Sequence, residues 1–358
     1  MKIKSAILFL SVFFLYLPLA GAPQISTERI NFQHRAIGKA AWEQIYVVSL
    51  IYPHVPHTVQ SGEILTRMQQ KYRKNQVNII VLMPSTNDNI SKFASDYPEF
   101  DFTVVPDPEF KYLSRLYKRQ KTFPQTGIFN NAGKLLWSGD PLDLPMMLKI
   151  ITDKKYSERE EIRISALNSG LQAALRTGNP DLIGKAADQI LALRPEQLSA
   201  VNAKAYSLEI ARDSEGLKKF FQDRIKRYPK APENYFMLLE ASLRIAELAN
   251  TAPQTARSFI QAFPADVESI NAVAWSLLNR APFDAQAFAV VRDCCNILQK
   301  SPEKATGKIL MTQALFAYRC CKLPEARQLA KQAAAKAVNA QEKLFIKNFS
   351  EYLNMIER

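Results

Sequence analysis

Four prolines divide the second half of this 358-residue chain into units of nearly equal length. Pro195, Pro229, Pro264 and Pro302 are separated by 34, 35 and 38 residues. Each follows one amphipathic helical pattern and precedes another, and Arg194-Pro195, Tyr228-Pro229 and Phe263-Pro264 stand at equivalent points. Proline ends a helix because it lacks the amide donor and its ring strikes the carbonyl four residues back. A fixed period of this length marks stacked supersecondary units rather than one closed core. A single helical pair cannot bury its apolar face alone, so neighbours must cover it. The period predicts five helical pairs at 158–195, 196–229, 230–264, 265–302 and 303–338, with a last helix over 340–357 capping the stack. Small and aromatic residues recur inside the helices, at Ala205-Tyr206, Ala274-Trp275 and Ala317-Tyr318. No strand pattern interrupts this half.

The first half reads differently. Ile45-Tyr46-Val47-Val48-Ser49-Leu50-Ile51-Tyr52 and Asn78-Ile79-Ile80-Val81-Leu82-Met83 are apolar, β-branched runs of the kind buried on both faces of a sheet. Between them, Ile64, Leu65, Met68 and Tyr72 recur at helical spacing, which predicts a helix over 59–75. A helix at 88–97, a short strand at 102–105 and a helix at 108–120 follow. Gly127-Ile128-Phe129 and Lys134-Leu135-Leu136-Trp137 flank Asn130-Asn131-Ala132-Gly133, a hairpin signature. A final helix is expected over 141–152. Strands alternating with helices imply a sheet covered on both faces.

Composition limits the functional classes. The chain is 47% hydrophobic and 23% charged, enough for two globular domains. Its formal charge of +13 is spread along the chain, about +4 over residues 23–150 and about +7 over 151–358. There is no basic run of five and no nucleic-acid motif, so no nucleic-acid partner is expected. Lys2 and Lys4 precede an apolar stretch from Ala6 to Ala20, with Ala20-Gly21-Ala22 after it. This pattern predicts a signal peptide over 1–22 and a protein that is exported, periplasmic or otherwise extracytoplasmic. Membrane contact is expected only through that segment if it stays uncleaved, and Pro23 is an unfavourable residue just after the cut.

The four cysteines form two adjacent pairs, Cys294-Cys295 and Cys320-Cys321. On antiparallel helices joined near 301–303, hairpin symmetry offsets the pairs by about 11 residues, or about 16 Å. A disulfide needs Cα atoms within about 7 Å, so the pairs read as unbridged, buried small apolar side chains. Two of the three histidines form His54-x-x-His57. That spacing at a loop-to-helix junction is weakly compatible with a transition metal, with His34 or Glu63 as a third ligand. The plainer reading is two exposed loop histidines, no metal and no cofactor. No glycine-rich nucleotide loop, H-E-x-x-H or G-x-S-x-G is present.

Val47-Val48-Ser49-Leu50-Ile51-Tyr52-Pro53-His54-Val55-Pro56-His57-Thr58, with Phe123-Pro124 and the hairpin through Gly133-Lys134, resembles the exported TlpA-like branch of the thioredoxin family. The resemblance covers residues 24–152. It implies a thioredoxin-like α/β domain with a cis Phe123-Pro124 bond facing the active-site loop. The two redox cysteines of that family are replaced here by Val55 and Thr58, so its oxidoreductase reaction does not transfer and no catalytic residue is assigned. The loop Val55, Pro56, His57, Thr58 is a degenerate active site. With Tyr52, His54, Phe123 and Pro124 it forms the peptide-binding surface that the resemblance implies. The second half resembles divergent tetratricopeptide repeats over 158–358. The fold class expected is an α/β thioredoxin-like domain followed by an all-α tetratricopeptide-like domain. The function expected is non-enzymatic binding of a protein or peptide partner in the cell envelope. The alternatives are a thioredoxin-family oxidoreductase working with thiols elsewhere, and a metal-binding module using His54 and His57.

Overall fold

The computed structural model describes residues 24–25, 45–52, 57–72, 77–116, 125–130, 132–279, 284–301, 305–338 and 340–356. Residues 1–22, for which a signal peptide is expected, and His34, His54, Val55, Pro56, Phe123 and Pro124 lie outside the described residues. The chain divides into two compact units, one ending at Ala211 and the other beginning at Arg212.

The first unit contains a six-stranded mixed sheet with the order β1-β4-β3-β2-β5-β6. Its strands are β1 (Gln24–Ile25), β2 (Ile45–Leu50), β3 (Val77–Met83), β4 (Thr103–Pro106), β5 (Thr126–Asn130) and β6 (Leu135–Gly139). β1, β4, β3 and β2 run parallel to their neighbours. The β5–β6 hairpin joins antiparallel to β2. The hairpin turn is fixed locally. Asn130 Oδ1 accepts from the amides of Ala132 and Lys134, and Gly133 takes a φ of 75°. Only a residue without Cβ adopts that conformation cheaply.

Period-two alternation sorts side chains to the two faces of the sheet. Ile45, Val47, Ile51, Val77, Ile79, Val81 and Met83 face one core, closed by α1 (His57–Tyr72), α2 (Asn87–Asp96) and α4 (Leu144–Thr152). Val48, Leu82, Val105 and Phe129 face the other, where Phe110 and Tyr112 pack beside α3 (Lys111–Leu116). α1 is also tied to the sheet by polar contacts. Gln69 accepts from the Ile79 amide at 2.8 Å and donates to the Val77 carbonyl.

Three helix starts differ from the sequence reading by two residues or more. α1 starts two residues early, at His57. α3 starts at Lys111 rather than 108, because Phe110 takes a φ of 53° and the Asp107 carboxylate captures the Tyr112 amide. The last helix is split into a 3-10 turn, Pro141–Asp143, capped by Asp140, and then α4.

Three helices complete the first unit: α5 (Glu158–Thr177), α6 (Pro180–Leu193) and α7 (Leu198–Ile210). Element type changes between Thr152 and Glu158, yet the compact unit runs on to Ala211. The second unit holds α8 (Ser214–Arg227), α9 (Pro232–Arg244), α10 (Thr251–Ala262), α11 (Val267–Leu278), α12 (Ala285–Gln299), α13 (Gly307–Arg319), α14 (Leu323–Lys336) and α15 (Ala340–Met355). These helices fall at the positions the proline period predicts. Most starts in this half carry a side-chain cap: Ser157, Asn179, Asp213, Asp266, Asp284 and Thr306 each accept a first-turn amide. A continuous apolar core runs from Tyr235 on α9 to Ile309 on α13.

Candidate functional site

Two places in the fold collect residues with functional potential. The first is one end of the sheet. Tyr52 follows β2 and is exposed, and α1 begins at His57. Gln125, the residue after Pro124, accepts from the Leu50 amide at 2.7 Å and from the Ser49 hydroxyl at 3.1 Å. The buried Ser49 and Thr126 hydroxyls lie 2.9 Å apart. The flanks of the 53–56 and 123–124 segments therefore meet at the same sheet end. The parallel β2 and the antiparallel β5 are adjacent, so the exit of one lies beside the entry of the other. Glu63 is buried on α1. Among the described residues, no three His, Cys, Asp or Glu side chains converge as a metal site.

The second place is the far end of the helical array. α12, α13 and α14 enclose a groove of about 430 Å³ with Phe288, Phe316 and Leu329 as apolar walls. Arg292, Gln299 and Lys322 also line it. Cys295 and Cys320 line the same groove. α13 packs chiefly on α14, while α12 packs chiefly on α11. All four thiols are free. Cys294 and Cys295 are buried as expected, whereas Cys320 is half-exposed and Cys321 exposed. α13 ends at Arg319, so Cys320 is its C-terminal cap and Cys321 turns the chain with a φ of 59°. Burial pushes the Cys294 thiol far up and the Cys295 thiol up to about 12. Thiols in that state hold almost no thiolate near neutral pH and are poor nucleophiles.

Elsewhere in the second unit, aromatic rings link three helices. Trp275 on α11 meets Phe345 on α15 edge-to-face at 5.3 Å. Tyr318 on α13 meets Phe349 and Tyr352 on α15 at 6.0 and 5.7 Å. The Tyr318 and Tyr352 hydroxyls lie 2.8 Å apart. Phe345 and Tyr352 remain 45 and 44% exposed. Half-exposed aromatics on a rigid helical support suit contact with another polypeptide, since they offer large area at little conformational cost. Neither this aromatic patch nor the groove was picked out in the sequence. The visible signal was only the recurrence of Ala-Trp and Ala-Tyr pairs.

A third feature lies inside the first unit, where α5–α7 meet the sheet. Asp143 is buried, accepts from the Ser199 amide at 3.0 Å and receives the Ser199 hydroxyl. Burial lifts its carboxyl to about 6 against the opposing effect of those hydrogen bonds. Arg194, the residue before the first repeat proline, is 5% exposed. Its guanidinium reaches Glu161 at 2.7 Å, Glu160 at 3.3 Å and the Met147 sulfur at 3.3 Å. Tyr156 donates to the Leu136 carbonyl at 2.7 Å. These contacts join the first helical pair to α4 and β6.

No protein-family profile and no curated protein matches the chain. Among solved structures, the crystal structure of the yeast Tom70 is similar at 20% identity and a TM-score of 0.38. The match covers 54% of this chain and 40% of that one, so the chain spans well under half of Tom70. A likeness this loose assigns neither fold nor function.

Proposed function

We propose that the chain is an exported, non-enzymatic scaffold that binds another polypeptide through its helical array. In this reading it combines a thioredoxin-like domain without redox cysteines and a tetratricopeptide-like stack. The observations that carry the binding role are the groove between α12, α13 and α14 and, separately, the exposed aromatics on α15. Stacked helical pairs offer extended surfaces of this kind to peptides and helices. The thioredoxin-like reading draws support from the element order, strand–helix–strand then hairpin then helix, and from the contact of Gln125 with Leu50. The redox-inactive reading rests on Val55 and Thr58 standing where the family's thiols would be, and on the distance in sequence to every cysteine. Export rests on the basic and apolar N-terminal pattern.

The binding role is tested by a photoreactive residue placed at Arg292 or Gln299, compared with the same probe at exposed Arg159. The expected result is one saturable adduct with a discrete polypeptide from both groove positions and none from Arg159. Equal labelling at all three positions, or none, rejects the role. Insulin-reduction turnover that disappears in Cys295→Ser or Cys320→Ser would overturn the redox-inactive reading. Recovery of the intact chain in the cytoplasmic fraction alone would overturn export.

A further inference from the structure

α15, the last of the described helices, has an outer surface that is not polar. On α15, Ile346 and Leu353 are buried against the array. Yet Leu344 is 58% exposed, Met355 64% and Ile356 44%, beyond the half-exposed Phe345 and Tyr352. At about 100° per residue, Leu344, Asn348, Tyr352 and Met355 fall on one stripe along the helix. One edge of that stripe is aromatic and leans on Trp275 and Tyr318. The opposite edge carries Lys343, Lys347 and Glu351, cations toward the N-terminus and the anion toward the C-terminus.

Within one chain this charged edge is poorly used. Lys347 and Glu351 are 3.8 Å apart and both largely exposed. The cation precedes the anion, the weaker orientation for residues four apart on a helix. A second copy uses the edge better. A two-fold pairing is self-complementary, and in an antiparallel arrangement like edges of two helices meet. Lys347 of each copy then faces Glu351 of the other, and the two helix dipoles oppose. A parallel pairing would set the charged edge against the aromatic edge and form neither ion pair.

We propose that α15 is a self-association seam, on which a second copy of the chain packs antiparallel along Leu344, Asn348, Tyr352 and Met355 with reciprocal Lys347–Glu351 ion pairs. One helix covers less than the roughly 800 Å² per partner of a standard interface, so association is weak and concentration-dependent.

Sedimentation of the full chain tests this, at protomer concentrations up to about 100 μM. The expected result is a monomer–dimer equilibrium, with association at least tenfold weaker in Leu344→Lys and Met355→Lys. Both sites are exposed, and unchanged circular dichroism verifies that the variants fold. Lys347→Glu and Glu351→Lys each weaken the dimer alone, and mixing the two variants restores association, because opposite charges then meet at both pairs. A chain that stays monomeric throughout overturns the proposal. So does a dimer indifferent to Leu344→Lys, and so does failure of the mixture to recover.

Discussion

Gly62 on α1 lies directly under the Phe100 ring: a Cβ there would stand 2.5 Å from two ring carbons. Phe100 is fully buried and stacked against Tyr97 and Phe102, so the ring has little room to give. Gly62→Ala is expected to lower stability by about 1–3 kcal/mol despite the gain in helix propensity, through overpacking. Urea unfolding checks it, and a stabilised Gly62→Ala would show the ring to be mobile. Asp143 sets a second expectation at this scale. Its carboxyl is raised from 3.8 to about 6 in the folded protein by burial. The folded state therefore holds this proton more tightly than the unfolded chain. The associated stability is fully present below about pH 4 and is lost as pH rises through about 6, with a span of about 3 kcal/mol. Relative to the wild type, Asp143→Asn is expected to gain stability as pH rises from 4 to 7. A difference between the two that stays flat across that range rejects the shift.

At the scale of elements, helix starts are written in the chain by their caps. Asp284 accepts from Ala287 at 2.7 Å, and Asp213 from Gly216 at 2.8 Å. Each Asp→Ala change is expected to cost about 1 kcal/mol in thermal or urea melts, and the two costs add because the caps serve different helices. Additive losses well below this would mean that packing alone places these starts. Period and prolines were both legible, which is why the helices fall where the spacing put them; the caps emerged only in the structure. α3 was not legible to its first residue. Its start depends on Phe110 at positive φ and on a carboxylate reaching the Tyr112 amide, neither of which has a periodic signature. Cys320 and Cys321 were misjudged for a related reason. Their burial depends on α13 stopping at Arg319, one residue before them.

At the scale of the whole molecule, the change of element type and the change of compact unit fall in different places. The sheet ends its last helix at Thr152, but α5, α6 and α7 belong with it. Arg194, Asp143 and Tyr156 hold them there through contacts to Met147, Ser199 and Leu136. Hydrogen exchange is expected to show amides of α5–α7 opening together with β2 and β3 rather than with α11–α13. Arg194→Ala leaves buried Glu161 without its cation, a loss of the order of 3 kcal/mol, and should raise exchange in both α5 and the sheet. Exchange raised only in α5–α7 would mean that the helical pair opens on its own.

The sequence by itself determined the kinds of element and their order. Apolar β-branched runs alternating with helical patterns read as a covered sheet, and a helical period of 34 to 38 residues closed by proline reads as stacked pairs. Both are local properties of the chain, set by backbone sterics and by which face is apolar. It also fixed the absence of thiols from the Val55–Thr58 segment, since covalent composition does not depend on folding. Only the tertiary structure decided what lies next to what. Cys295 and Cys320 share a groove, Asp143 meets Ser199 across 56 residues, and the apolar flank of α15 is exposed. Those outcomes turn on the angles and offsets at which helices stack, which are set by side-chain interdigitation between distant segments and leave no trace in any one stretch of sequence.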